Sequence, residues 1–278
     1  MRAKEGTSTE YRFPFGKKLH KVEQCDTDKS KKEYFVLGVY ASAVHAKWVG
    51  PDGKTICRAL AVASEPCIFW NGCVDEAQEI IGSIEVPKEL GSLSPADARY
   101  NGPSGRALDE HILRPLGISR REAWLCDLLP ESRINCSQNK VIIEKYDPMI
   151  KQLNLGKEYL ANVPLVPSCF CNQKRCNDIT EELRRSGAKN LITLGDDPIK
   201  QYLSKVELEL GFSDLKEYTA NHSYGSSIPI TIGGISLNLF VFVHPRQIAA
   251  LGYHSKDWRD IHKEWEAGKT AEEYSLKD

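Results

Sequence analysis

Residues 237–246 read Leu-Asn-Leu-Phe-Val-Phe-Val-His-Pro-Arg. A mostly apolar run stops abruptly at a histidine, a proline and an arginine. A short run rich in aromatic and β-branched residues predicts a strand buried on both faces, the pattern of a parallel sheet. In open α/β folds ligands bind outside the carboxyl ends of such strands. His244 is therefore delivered to a rim, and the reading of the fold depends on finding the rest of that rim.

Three other runs share the pattern: Tyr34–Tyr40 (YFVLGVY), Ala123–Leu129 (AWLCDLL) and residues 190–195 (NLITLG). Helical patterns fall between them. Residues 106–113 place Leu108, Ile112 and Leu113 on one face. Residues 178–185 open with Asp-x-x-Glu, a capping-box-like start. Asp197-Pro198 puts proline at a first helical position. Ser255 caps a helix through Glu266, with Trp258, Ile261, His262 and Trp265 as its apolar stripe. Strands alternating with helices predict an α/β protein. We expect a three-layer αβα arrangement around a central four-stranded, mostly parallel sheet with right-handed crossovers. Two hairpins are expected as additions, over residues 55–70 and over residues 228–240 turning at Gly233-Gly234. Residues 1–32, Lys-rich and polar, are expected to form a poorly packed arm. Residues 33–268 form the single domain and 269–278 a tail.

The groups at the ends of the four runs define the expected rim. They are Ala41, Ser42, Ala43, Val44 and His45, then Asp127, Pro130 and Glu131, then Asp196 and Asp197, and finally His244, Pro245 and Arg246. Polar groups stand beside small residues that let a ligand approach the backbone.

Taken in order, these pieces resemble the motifs of the uracil-DNA glycosylase superfamily. The matching stretches are Val36-Leu37-Gly38-Val39-Tyr40-Ala41-Ser42-Ala43, Asn101-Gly102-Pro103-Ser104-Gly105, Trp124-Leu125-Cys126-Asp127-Leu128-Leu129-Pro130, Asn190-Leu191-Ile192-Thr193-Leu194-Gly195 and Val243-His244-Pro245. They span residues 34–265. The resemblance implies hydrolysis of the N-glycosidic bond of a flipped uracil or other deaminated base in single- or double-stranded DNA. It implies a histidine near the carbonyl oxygen of the leaving base, which is the role of His244, and an aromatic stacked on that base. Extrusion costs a few kcal/mol, offset by stacking and edge hydrogen bonds. A donor aimed at the charge left on the base lowers the barrier as an oxyanion hole does.

The first motif departs from the family. Tyr40-Ala41-Ser42-Ala43-Val44-His45 contains no Asp, Asn or Glu to activate water. Asn101 and Asp127 are the remaining catalytic candidates beside His244; Asp52, in Gly-Pro-Asp-Gly, reads as a turn. Tyr40, Ala41, Ser42 and His45 are candidates for the pocket wall. Trp70 and Trp48 both suit the stacking aromatic. Ser104 caps the next helix, with nearby backbone N–H groups offered to a phosphate. Arg246 suits a phosphate bidentately. No cofactor or metal is required. Cys169, Cys171 and Cys176 lack the four-thiolate pattern of an iron–sulfur site and read as a solvated loop, with Gln173, Lys174 and Arg175 free for phosphates.

Composition adds exclusions. Lys and Arg number 37 against 38 Asp and Glu, a net charge of −1, so DNA binding needs a local basic patch. No apolar run approaches the roughly 20 residues of a membrane helix. The N-terminus lacks a signal-peptide core, so a cytoplasmic protein without membrane contact is expected. The nine cysteines then read as reduced thiols, or partly metal ligands, rather than a disulfide framework. Two other readings fit the same residues. One is a superfamily member that binds a base or nucleic acid and has lost the chemistry. The other is a hydrolase using Ser42, His244 and Asp127, although no Gly-x-Ser-x-Gly elbow is present.

Overall fold

A computed structural model describes residues 10–25, 30–207, 210–251 and 255–275. The four apolar runs are strands, and they lie in one sheet. β1 (Tyr34–Tyr40), β5 (Ala123–Leu129), β6 (Asn190–Leu194) and β8 (Ile235–Phe242) are mutually parallel in the order β5-β1-β6-β8. All five residues of β6 are buried, as a strand covered on both faces requires. A fifth strand, β7 (Ser227–Ile232), pairs antiparallel with β8 at the edge. The expected sheet of four strands therefore has five. The 228–240 hairpin is not an addition to it but supplies its last two strands. Gly233 and Gly234, both at positive φ, make the two-residue turn that joins Ile232 to its partner Ile235. Pro229 is tolerated because β7 is an edge.

The other expected hairpin is corrected. Residues 55–64 form one strand, β3 (Thr55–Ser64), in a separate antiparallel sheet of order β3-β2-β4 with β2 (Ala43–Val49) and β4 (Ser92–Pro95). The turn lies earlier, at Pro51-Asp52-Gly53. There Asp52 Oδ1 accepts from the Lys54 amide at 3.0 Å and Gly53 has φ +77°. Residues 55–64 contain no turn chemistry, so the strand runs on until Glu65-Pro66.

Each sheet has its own core. Phe35, Leu37, Leu108, Leu191, Leu239 and Phe242 pack around the large sheet; Trp48, Leu60, Trp70, Leu90 and Tyr146 pack around the small one. Phe13 and Phe15 belong to the second core. The Phe15 amide donates to Tyr146 Oη at 2.6 Å, and its ring meets Trp48 and Tyr146 edge-on. Within the described part of the arm, residues 10–25, Phe13, Pro14, Phe15 and Val22 are buried while Tyr11, Lys18, His20 and Lys21 stay exposed, and each phenylalanine buried contributes about 1.5–3 kcal/mol. The arm also corrects the expectation that the cysteines form no disulfide. Glu23 bridges Cys67, which brings the Cα atoms of Cys25 and Cys67 to 4.9 Å, and these two form a disulfide. Residues 1–9 and 26–29 of the expected arm and 276–278 of the expected tail lie outside the described residues. The final helix, Lys256–Ser275, continues through most of that tail.

Helix starts also shift. The helix expected from Asp178 begins at Gln173, capped by Asn172, whose side chain accepts from the Arg175 amide. Ser104 does not cap its helix; it is the second residue of Pro103–Leu108, and Gly102 at φ +61° takes the cap position. A Cβ on Gly102 would lie 2.1 Å from the Gly72 nitrogen, so this turn exists to let two backbones touch. Leu108, Ile112 and Leu113 are buried as expected. In the last helix Ile261 is exposed, while His262 is fully buried. No described helix is long and apolar enough to cross a membrane.

Candidate functional site

The carboxyl ends of the parallel strands gather the ionisable groups. β8 passes through Val243 to His244, which caps the short helix Pro245–Ile248. The Arg246 amide donates to His244 Nδ1 at 3.1 Å. Nδ1 is therefore an acceptor, and the proton of the neutral ring sits on Nε2. Desolvation in the crevice, helped by Arg246, holds the imidazole down to about 4 from its usual 6.5. At neutral pH His244 is an uncharged donor. Its position is set from behind. His262 lies with Nε2 2.9 Å from the His111 carbonyl and Nδ1 2.7 Å from Tyr224 Oη, and Tyr224 Oη accepts from the Val243 amide at 3.1 Å. His262 is a satisfied core histidine that anchors the residue before His244. Gly195, at φ +83° after β6, leaves room beside the histidine, since a Cβ there would sit 3.1 Å from His244 Cβ.

The small sheet brings a carboxyl to the first motif. β3 runs antiparallel to β2, so Ser64 pairs with Ala43 and Glu65 returns to the exit of β1. Glu65 is only 5% exposed. Burial pushes its carboxyl up to about 8, the charge of Asp127 adds to this, and a hydrogen bond from the Ser42 backbone opposes it. Asp127, 2% exposed, is pushed up to about 7 by burial against the pull of Arg175. Two buried carboxyls, one from each sheet, thus influence each other at the strand tips.

An aromatic ring lies beside Asp127. Gly38 pairs with Asp127 in the sheet register. A Cβ on Gly38 would lie 2.4 Å from Phe69 Cζ and 2.5 Å from Asp127 Oδ1, so ring, carboxyl and strand converge there. Phe69 has φ +53°, an unfavourable region for a bulky residue. Its surroundings enforce it. Arg120 donates to the Phe69 carbonyl at 2.7 Å, Arg106 donates to Asn71 and Asn101 carbonyls at 2.7 Å, and a Cβ on Gly105 would lie 2.3 Å from the Phe69 oxygen.

The expected site residues divide into two groups. Tyr40, half-buried, stacks on Phe170 with centroids 5.6 Å apart and planes 10° from parallel. Burial raises its hydroxyl, while Arg246, Asp197 and Asp127 all act on it, so one crevice collects charges from the ends of β1, β5, β6 and β8. Ala41 is buried and Ser42 half-buried at its wall. Asn101, by contrast, is a structural clamp. Its Oδ1 accepts from the His45 amide at 2.8 Å and its Nδ2 donates to the His45 carbonyl at 3.0 Å. His45 is buried with Nε2 2.7 Å from Gln138 Nε2, and desolvation holds its ring down to about 4. Trp70 and Trp48 belong to the second core. Trp70 Nε1 donates to Glu76 at 2.6 Å and Trp48 Nε1 to the Leu90 carbonyl at 2.6 Å. Ser104 is half-buried in its helix.

Two further readings are altered. A Ser42–His244–Asp127 relay needs a donor Nδ1–H aimed at the carboxylate, and His244 Nδ1 is occupied as an acceptor. Arg175 is not free for phosphate. It donates to the Asp127 carbonyl at 2.6 Å and the Leu128 carbonyl at 3.2 Å, and pairs with Glu182 at 2.7 Å. Among the described residues no group of three or more metal-ligating side chains could hold an ion, although the Cys171 and Cys176 thiols lie 3.1 Å apart. A surface hollow bounded by Lys189, Ile230 and Asn238 sits at the opposite strand ends, where Asn190 pairs with Asn238.

Glu65 and Phe69 escape a reading of the sequence because residues 55–70 look like a whole hairpin. The signal was present all the same. His244 stands out because it ends an apolar run, and Glu65-Pro66 ends the run that closes at Ser64 in the same way. The strand ends thus carry a neutral imidazole, a buried aromatic ring beside Asp127, and two carboxyls that ionise near neutrality. The chain matches no family model and no curated protein.

Proposed function

We propose that the protein is a divergent, three-layer αβα member of the uracil-DNA glycosylase superfamily, hydrolysing the N-glycosidic bond of a flipped uracil or other deaminated base in DNA. The observation that carries this reading is Glu65, a buried carboxyl brought by the small sheet to the Ser42 backbone, where the first motif has no acid of its own. In this reading the extruded base stacks on Phe69. The bond from the sugar C1′ to the base nitrogen breaks, and its electron pair leaves with the base. His244 Nε2–H donates to the carbonyl oxygen on which that charge collects. Ionised Glu65 takes a proton from the water that bonds to C1′ and balances the positive charge developing there; Asp127 lies close enough to set when Glu65 ionises. Arg246, exposed beside the crevice, meets the DNA backbone. The protein acts in the cytoplasm.

A second reading, a pocket that binds a base without excising it, draws support from the same carboxyls. Burial keeps Glu65 largely protonated at neutral pH, and a protonated carboxyl activates no water. The two readings separate in an assay of uracil- and hypoxanthine-containing oligonucleotides, with alkaline cleavage reporting abasic sites. Excision that disappears in Glu65→Gln and His244→Ala supports the enzyme. Tight binding by all three proteins with no abasic product leaves only the binding module.

A further inference from the structure

The segment before β1 crosses the site. Lys21 bridges Glu131 and the Val22 amide donates to the Pro130 carbonyl at 2.9 Å, tying the segment to the exit of β5, the strand that carries Asp127. On its other side Glu23 bridges Cys67, and the Ile68 amide donates to the Glu23 carbonyl at 2.8 Å. The strap ends in the disulfide from Cys25 to Cys67, which spans 42 residues of sequence. Cys67 stands between Glu65 and Phe69. Arg120 completes the link, with Nη1 3.8 Å from Cys25 Sγ and Nη2 2.7 Å from the Phe69 carbonyl.

We infer that residues 21–25 are a redox-released strap. The Cys25–Cys67 bond holds the segment carrying Glu65 and Phe69 in its site conformation, and a dithiol reductant frees it. The inference takes from the proposed function only that these two residues belong to the site. Cys25 is exposed, whereas Cys67 is buried, so an attacking thiolate reaches Cys25 Sγ. The S–S bond breaks and its electron pair leaves on Cys67, which takes a proton. The second thiol of the reductant then attacks the mixed disulfide, expels Cys25 as a thiolate beside Arg120, and closes the reductant into its own cyclic disulfide. Two electrons pass from the dithiol to the protein. A disulfide with one exposed half-cystine is open to attack by a thiolate. Phe69 makes release consequential. Its positive φ persists only while its surroundings hold it.

The experiment compares native wild type before and after dithiothreitol with Cys25→Ser, by iodoacetamide labelling and amide hydrogen exchange. Untreated protein should leave Cys25 and Cys67 unlabelled, and native reduction should add labels at both. The Ile68 and Trp70 amides should exchange about tenfold faster in the reduced and Cys25→Ser proteins, while amides of β1 and β6 keep their rates. Unchanged exchange at Ile68 and Trp70 overturns the strap. So does labelling of both cysteines in untreated protein, or an equal acceleration in β1, which marks general destabilisation. Neither readout needs a substrate. Absence of excision would count against the proposed function and leave the strap as measured; excision that falls on reduction in step with Ile68 exchange joins the two.

Discussion

Glu65 matters most among the residues of the crevice because its burial has two opposed consequences. As a buried carboxyl it retains its proton to about pH 8, against an ordinary 4.5. Below the ordinary value both folded and unfolded chains hold the proton and folding incurs no penalty. As pH rises from there towards 8 the unfolded chain ionises first, so stability is lost across that window. Glu65→Gln removes the loss. The variant should melt higher than wild type at pH 8 and show a smaller gain at pH 5, as scanning calorimetry at both values would show. The same burial makes ionised Glu65 scarce below neutrality, so excision should climb with pH through the range in which Asp127 and Glu65 ionise, about 7 to about 8. His244, held down to about 4, adds no break to that profile above pH 5. Its replacement by alanine should cost about 10²–10³-fold in turnover, the scale of one lost oxyanion donor. A wild-type profile that falls from pH 6 to pH 8 would contradict these assignments.

Among the elements, the parallel strands are legible in the sequence and the small sheet is not, for a physical reason. Strands covered on both faces are mostly apolar, so β1, β5, β6 and the buried second half of β8 stand out as near-continuous runs. β3 mixes Arg58 and Thr55 with alanines, because its burial varies along its length, and only the Asp-Gly turn before it marks its start. Without that strand Glu65 stays hidden, and with it Phe69. Asn101 misleads for a related reason. An amide in a loop offers the same groups to water or to a neighbouring backbone, and only the fold shows that His45 takes them. Asn101→Ala should therefore destabilise the protein by about 1–3 kcal/mol, the penalty for stranding buried main-chain groups. Urea unfolding measures this, and an unchanged midpoint with lost excision would restore Asn101 to catalysis. Gly38→Ala tests the convergence at β1. The added methyl meets Phe69 and Asp127 inside contact distance, and the overpacking should cost about 1–3 kcal/mol.

At the scale of the molecule, two cores share one crevice. The large sheet presents His244 and Asp127, and the small sheet turns Glu65 and Phe69 back towards them, with the strap from Lys21 to Cys25 joined to both the β5 exit and the Cys67 segment. In the proposed reading neither sheet holds the site alone: the histidine follows a parallel strand and the carboxyl follows a strand of the small sheet. The most direct test is release of uracil from a single-stranded oligonucleotide by wild type and Glu65→Gln, followed from about pH 6 to about pH 9 by alkaline cleavage. Wild-type excision should rise towards pH 8, and the variant should lose about 10²–10⁴-fold with its fold retained. Excision by Glu65→Gln at the wild-type rate would contradict the role given to this carboxyl.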